Sequence, residues 1–162
     1  MEDPDFVAGL RAVPSTASGS HVTWSATDLS GVRPDGSGVS IVLDDESDPL
    51  LLVFLTTRCD GCDTFWAGLA DGGDPALARV RTVVVAKGPD EVDTDQVRAL
   101  AAPLVGTGVD VVLGAKAWTD YRVTGYPFLV LVDPASRRIL AETVGFRWSD
   151  VAATVDAGLG PN

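Results

Sequence analysis

The sequence predicts an α/β domain, in which a mixed central sheet has helices on both faces. Apolar runs at residues 50–56, 80–86 and 109–113 have the length of buried strands and are separated by stretches with helical spacing. Parallel strands need such long crossovers, so these runs predict a parallel core. Two later runs, joined by a turn at residues 133–136, predict an antiparallel hairpin next to that core.

The remaining strands are predicted from shorter apolar runs. Residues 128–132 and 139–144 form the late hairpin. Near the N-terminus, residues 21–24 and 39–43 are interpreted as a second hairpin, around a turn-rich connection that contains Asp28 to Gly31 and the stretch 34–38. The predicted fold class therefore includes an N-terminal β-hairpin extension.

The first predicted helix follows the cysteines of the chain. An i, i+3, i+4, i+7 spacing indicates its buried face, which consists of Cys62, Phe65, Trp66 and Leu69. Gly72-Gly73 is expected to end this helix.

Three further helices are predicted at residues 94–102, 115–123 and 148–159. Asp93 or Thr94 is expected to cap the first of them, and Pro103 to stop it. Ser149 is the expected cap of the last.

Length and composition indicate one folded domain. The chain has 162 residues, of which 46% are hydrophobic, enough for a single packed core. The formal net charge of −11 argues against binding to nucleic acid or to an anionic membrane surface. We expect a polar, proline-marked arm at residues 1–21 and a globular domain at residues 22–162.

Cys59 and Cys62 are the only cysteines, and they form the motif Cys-Asp-Gly-Cys directly after the apolar run 50–55. A pair of thiols at a strand-to-helix turn is the arrangement that thiol–disulfide exchange needs. The unpaired N–H groups and the dipole at a helix N-terminus favour a thiolate at the first cysteine.

Two other interpretations of the cysteine pair remain. A zinc site needs about four ligands, and the chain offers two cysteines and the distant His21. A purely structural disulfide would close a very small loop and would gain little from restricting the unfolded chain.

A second motif, Gly125-Tyr126-Pro127, opens the apolar run 128–132. The two motifs, with the strands around each of them, resemble the thioredoxin superfamily. The N-terminal hairpin and the inserted region near residues 93–113 are most similar to its TlpA/ResA/MauD branch. The resemblance covers residues 22–159 and implies a thioredoxin-like fold.

The resemblance also implies roles for individual residues. Cys59 matches the attacking cysteine and Cys62 the buried resolving cysteine. Pro127 matches the proline whose preceding peptide bond is cis and which packs against the disulfide. Tyr126 matches the residue that presents its backbone to an extended substrate segment, and Gly145 matches a surface glycine near that groove.

The chain departs from the family pattern around the motif. Arg58 stands where tryptophan is usual, and Asp60-Gly61 replaces a pair that usually contains proline. The buried acid that shuttles a proton to the second cysteine in thioredoxin would fall at Val53. The redox potential and the partner therefore cannot be carried over from the family.

The function that this resemblance implies is a protein thiol–disulfide oxidoreductase that acts as a reductase and needs no prosthetic group. Its partners would be a protein substrate with cysteines and a redox donor, and we expect a monomer. Thr56-x-x-Cys59 partly matches the peroxiredoxin motif, which leaves a peroxidase as one alternative. A thioredoxin-like module that binds a partner without turnover is the other.

The expected location is outside the cytoplasm. The acidic, proline- and serine-marked residues before Val22 are interpreted as a linker from a membrane anchor in a longer precursor. A cytoplasmic protein with a frayed N-terminus is the alternative.

Overall fold

The computed structural model describes residues 25–57, 60–88, 92–145 and 147–160, with residues 60 and 61 described by their backbone alone. Seven strands in these ranges form one mixed sheet in the order β2-β1-β5-β4-β3-β6-β7. The strands are β1 Leu29–Val32, β2 Gly38–Ile41, β3 Leu50–Phe54, β4 Arg81–Ala86, β5 Asp110–Leu113, β6 Phe128–Asp133 and β7 Arg138–Val144. The predicted α/β fold class is confirmed.

In the described part of the chain, four α-helices accompany the sheet: α1 Asp60–Ala70, α2 Thr94–Ala101, α3 Ala115–Asp120 and α4 Trp148–Leu159. Three short 3-10 segments lie at Leu43–Asp45, Pro75–Arg79 and Ala102–Leu104. Of these, the segment at Pro75–Arg79 begins after Asp74, whose carboxylate accepts a hydrogen bond from the N–H of Ala76 at 2.8 Å.

The position of β3 in the middle of the sheet explains why the sequence of this strand is continuously apolar. It pairs in parallel with β4 and antiparallel with β6, and all five of its residues are buried. Leu50, Leu52 and Phe54 belong to the core cluster on one face of the sheet, whereas Leu51 and Val53 belong to the cluster on the other. A strand buried on both faces has no position for a solvent-facing polar residue.

The helices divide between these two faces, as predicted. The cluster that contains Leu51 also includes residues of α1, α2 and α4. The opposite cluster receives Trp118 of α3 together with Tyr121, and it extends to the N-terminal hairpin through Leu29 and Ile41.

The N-terminal hairpin differs from the prediction in its first strand. Residues 29–32 form β1, which pairs with β2, so the assignment of Leu29 and Gly31 to a connection was wrong. The predicted strand 21–24 lies outside the described residues. Tertiary contact accounts for β1: Leu29 is 2% exposed, and a Cβ on Gly31 would lie 2.2 Å from the carbonyl oxygen of Leu113. A glycine is needed where two backbones approach this closely.

The predicted N-cap residue is correct at α2 and wrong at α4. The Asp93 carboxylate caps α2 by accepting hydrogen bonds from the N–H groups of Asp95 and Gln96. Arg147, not Ser149, is the N-cap residue of α4, and its N–H donates to the carboxylate of Asp150 at 3.0 Å. A carboxylate in the first turn can satisfy a free N–H at the helix start, which is half of a capping box.

Within the described ranges, no helix combines the length and the apolar content needed to cross a membrane.

Tyr121 joins the segment before β1 to the end of α3. Its hydroxyl donates to the carbonyl oxygen of Thr27 at 2.6 Å and accepts from the N–H of the same residue at 2.9 Å. The side chain is buried, and this burial raises the pKa of the Tyr121 phenol despite the two hydrogen bonds.

We predict that Tyr121→Phe lowers the free energy of unfolding at neutral pH by about 1–3 kcal/mol, because the backbone N–H and C=O of Thr27 both lose their partner. The raised pKa also means that the folded state holds the phenol proton more tightly than the unfolded state. The free energy of unfolding of the wild type should therefore decrease as the pH rises above about 10. Tyr121→Phe should lack the portion of this decrease that comes from ionisation of the Tyr121 phenol.

Urea unfolding at a series of pH values measures both effects. Tyr126→Phe is the matched control, since Tyr126 is 41% exposed, and it should stay within about 0.5 kcal/mol of wild type. An alkaline slope in Tyr121→Phe equal to that of wild type would contradict the prediction.

Candidate active site at the carboxyl end of the central strand

Sheet register brings the two predicted motifs to one end of the sheet. The cysteine motif begins between the end of β3 and the start of α1 at Asp60, and it continues into α1. Because β3 and β6 are antiparallel and Phe54 pairs with Phe128, the carboxyl end of β3 lies beside the start of β6. Pro127 directly precedes β6, so the proline loop lies next to the strand that leads into the cysteine motif.

The second cysteine lies in the first turns of α1 and is fully buried. Cys62 has 0% exposure and belongs to the same core cluster as Phe65, Trp66 and Leu69. This confirms the predicted buried face of the helix. The sulfur is therefore shielded from solvent by the packing of α1 on the sheet.

Thr56 contacts the sulfur of Cys62 in two ways. Its backbone N–H donates to Sγ at 3.3 Å, and its hydroxyl oxygen lies 3.7 Å from the same sulfur. The indole N–H of Trp66, one turn further along α1, donates to the carbonyl oxygen of Thr56 at 3.1 Å. The sequence singled out Thr56 only for its spacing to Cys59, and no sequence signal pointed to a contact with Cys62.

The backbone next to Thr56 is also tied to α2. The side-chain amide of Gln96 donates to the carbonyl oxygen of Thr57 at 3.4 Å. The segment that leads to the cysteine motif is therefore bonded to two helices, α1 through Trp66 and α2 through Gln96.

The Tyr126–Pro127 peptide bond is cis. Pro127 is buried, whereas Tyr126 is exposed. The carbonyl oxygen of Pro127 accepts a hydrogen bond from the N–H of Gly145 at 2.9 Å, just after β7. This bond fastens the proline loop to the strand on its other side.

Gly145 itself was expected at the surface and is buried. A Cβ at this position would lie 2.9 Å from Cδ1 of Leu129 and 3.2 Å from Cβ of Asp150. The small residue is required because β6 and the start of α4 close in around this backbone, and burial follows from that packing.

An aromatic cluster lies beside the proline loop. Trp118 packs edge-on against Tyr126 with ring centroids 6.0 Å apart, and against Phe54 at 5.4 Å. The ammonium group of Lys87 lies 5.0 Å from the centroid of the Trp118 ring, within cation–π range. Trp118 thus links the core to the exposed side chains of this end of the sheet.

The structure describes only some of the predicted site residues. Arg58 and Cys59 lie outside the described residues, and Asp60 and Gly61 form the first residues of α1 without described side chains. Val53, at the position of the family's buried acid, is 2% exposed and shares the core cluster of Cys62. Within the described ranges, no group of three potential metal-ligating side chains is present.

The chain matches no protein-family model and no curated protein. Solved structures do match. A putative thiol:disulfide interchange protein DsbE from Chlorobium tepidum is 22% identical, with a TM-score of 0.62 and coverage of 82% of this chain and 92% of that one. The exposed lipoprotein thioredoxin Etrx1 from Streptococcus pneumoniae is 17% identical, with a TM-score of 0.61 and coverage of 80% and 98%.

Copper-bound ScoI from Bradyrhizobium japonicum is 16% identical, with a TM-score of 0.56 and coverage of 84% of this chain and 100% of that one. These likenesses establish a thioredoxin-like fold and confirm the predicted resemblance at the level of structure.

We predict that Gly145→Ala destabilises the protein by about 1–3 kcal/mol, since the added methyl group meets Leu129 in a closed site. Urea unfolding measures the change. Gly38→Ala is the matched control, because a Cβ on Gly38 meets nothing within 4 Å. Equal free energies of unfolding for the two variants would show that the site around Gly145 accommodates a methyl group, which would contradict the prediction.

Proposed function

We propose that this protein is a thiol–disulfide oxidoreductase that acts on cysteines of other proteins through Cys59 and Cys62. The observation that carries the proposal is the placement of a fully buried Cys62 sulfur at the same end of the sheet as the cis Tyr126–Pro127 bond. The thioredoxin-like fold, and neighbours described as thiol:disulfide interchange proteins, support the same chemistry.

The proposed reaction has two exchange steps. The thiolate of Cys59 attacks a disulfide of the substrate, forms a mixed disulfide and releases one substrate thiolate. Cys62 then attacks the sulfur of Cys59, which forms the Cys59–Cys62 disulfide and releases the second substrate thiol. The substrate disulfide is reduced by two electrons and the cysteine pair is oxidised by two. A separate redox donor must restore the dithiol, and no prosthetic group takes part.

The proline loop is proposed to hold the substrate. Tyr126 is exposed and precedes a buried proline, so its backbone can pair with an extended segment of the substrate protein. Arg58, Asp60 and Gly61 surround Cys59 in the sequence and are proposed to tune its reactivity. We propose the reductase direction, and a monomer as the working unit.

We also propose a location outside the cytoplasm, with the domain tethered through an N-terminal linker. One structural neighbour is described as an exposed lipoprotein. An apolar segment of roughly 20 residues encoded directly before Glu2 would support tethering. Accumulation of the reduced protein in the cytoplasm would contradict it.

A binding module without turnover is the second candidate. Val53 stands where thioredoxin carries its proton-shuttling acid, and it is buried in an apolar cluster. Without that acid, the resolving step would lack the base that thioredoxin uses. Such a protein would bind a cysteine-containing partner but would not release it reduced.

We predict that the wild-type protein catalyses the reduction of insulin disulfides by dithiothreitol. Cys59→Ser and Cys62→Ser should each lower the rate by roughly a hundredfold or more, because each removes a sulfur that the exchange needs. Only Cys62→Ser should accumulate mixed disulfides with protein substrates, which non-reducing electrophoresis detects.

The matched comparison between the two serine variants decides the assignment of roles. Mixed disulfides that accumulate in Cys59→Ser instead would reverse the two roles. Wild-type protein that binds partners but shows no insulin reduction would support the binding module. Consumption of hydrogen peroxide without insulin reduction would support the peroxidase.

A further inference from the structure

We propose that Thr56 is a positioning residue that stabilises the thiolate of Cys62 during the resolving step. This inference rests on the proposed function for its biological meaning. The physical effect, however, is a property of Cys62 that can be measured without any substrate.

The contacts of Thr56 come from two different groups on one residue. The backbone N–H donates to the Cys62 sulfur at 3.3 Å, and the hydroxyl oxygen is 3.7 Å from it. A hydroxyl can accept a hydrogen bond from a thiol and can donate a hydrogen bond to a thiolate. Cys62 is disulfide-bonded in this structure, so its sulfur accepts from both groups of Thr56 here. In the reduced protein, the hydroxyl can stay hydrogen-bonded to the sulfur whether it is a thiol or a thiolate.

Trp66 holds Thr56 in this position. Its indole N–H donates to the carbonyl oxygen of Thr56 at 3.1 Å, and the Trp66 side chain is 2% exposed. Since Trp66 and Cys62 are one turn apart on α1, the same helix supplies both the sulfur and the anchor. A movement of the helix would carry Thr56 with it.

The surroundings of Cys62 make such donors necessary. The Cys62 side chain packs in a buried cluster of apolar side chains that includes Val53, Phe65 and Trp66. Burial in such a cluster disfavours a charged sulfur unless hydrogen bonds compensate. Charge-assisted hydrogen bonds to an anion are about twice as strong as neutral ones, so two donors on Thr56 can provide this compensation.

The charged groups whose side chains the structure describes on the neighbouring elements are engaged elsewhere or exposed. Asp63 on α1 is exposed, and Asp93 caps α2. The ammonium group of Lys87, after β4, lies over Trp118, and Asp150 on α4 accepts from the N–H of Arg147. Thr56 is a polar residue that directly contacts the sulfur.

In the resolving step, Cys62 loses its proton and forms a bond to the sulfur of Cys59 while the bond from Cys59 to the substrate breaks. The substrate sulfur leaves with the electron pair of that bond and takes up a proton. Thr56 changes neither the atoms nor the electrons of this step. It stabilises the sulfur anion that must form before the attack.

The test measures the pH midpoint of thiolate formation at Cys62 in a Cys59→Ser background, from the ultraviolet absorbance of the thiolate. Thr56→Val removes the hydroxyl at nearly constant shape and should raise the midpoint by about one pH unit, since the backbone N–H remains. Thr56→Ser keeps the hydroxyl and should restore the midpoint. Thr82→Val, at a buried threonine near the start of β4, should leave it unchanged.

Two results would overturn the proposal: an unchanged midpoint in Thr56→Val, or equal shifts in Thr56→Val and Thr56→Ser. Thr56→Ala replaces Thr56→Val if circular dichroism shows that the valine variant does not fold, with the same expected shift. Failure of the proposed function would be a separate result. If the wild-type protein shows no exchange activity but Thr56→Val still shifts the midpoint, Thr56 positions the Cys62 sulfur and only the proposed oxidoreductase activity is excluded.

Discussion

The antiparallel pairing of β3 with β6 is the constraint on which the candidate site depends. It sets Phe54 opposite Phe128, so the strand that leads into the cysteine motif and the loop that carries Pro127 end at the same place. The pairing is maintained by apolar side chains on both faces of β3, each contributing about 1.5–3 kcal/mol of burial energy. A slip of one residue would exchange the two faces and separate the two motifs.

A second layer of contacts fixes the local geometry at this end of the sheet. Trp66 and Gln96 bind successive carbonyl groups of the segment 56–57, and the N–H of Gly145 binds Pro127. These bonds come from three elements, α1, α2 and the segment after β7. The site is therefore supported by the helices on one face of the sheet and by the neighbouring strand, which is the kind of support that a precise exchange geometry needs.

The sequence predicted best those elements whose pattern comes from burial. The continuous apolar run of β3 and the spacing of Cys62, Phe65, Trp66 and Leu69 each reflect a core position, and the structure agrees with both. The strand β1 was missed because Leu29 is its only fully buried residue and Gly31 disfavours a strand locally. Besides its local pairing with β2, β1 pairs with β5 through Val32 and Leu113, and no local pattern reports this contact between residues distant in sequence.

The candidate site likewise contains residues that the sequence identified and contacts that it did not. The resemblance to a family located Cys62 and Pro127, whereas the contact of Thr56 with the buried sulfur and the burial of Gly145 arise from tertiary packing. Val53 is one of the positions where the chain departs from the thioredoxin pattern while the fold is retained. A shared fold at 22% identity or less does not carry a reaction with it, so the chemistry of the cysteine pair has to be measured directly.

The most direct measurement is an equilibrium redox titration of the Cys59–Cys62 pair against dithiothreitol and glutathione buffers, followed by mass spectrometry after alkylation. We predict a fully reversible two-electron transition, with a midpoint in the range of about −120 to −270 mV that protein disulfide exchangers span. A disulfide that resists strong dithiol reductant, or a pair that does not form a disulfide in oxidising buffer, would contradict the account.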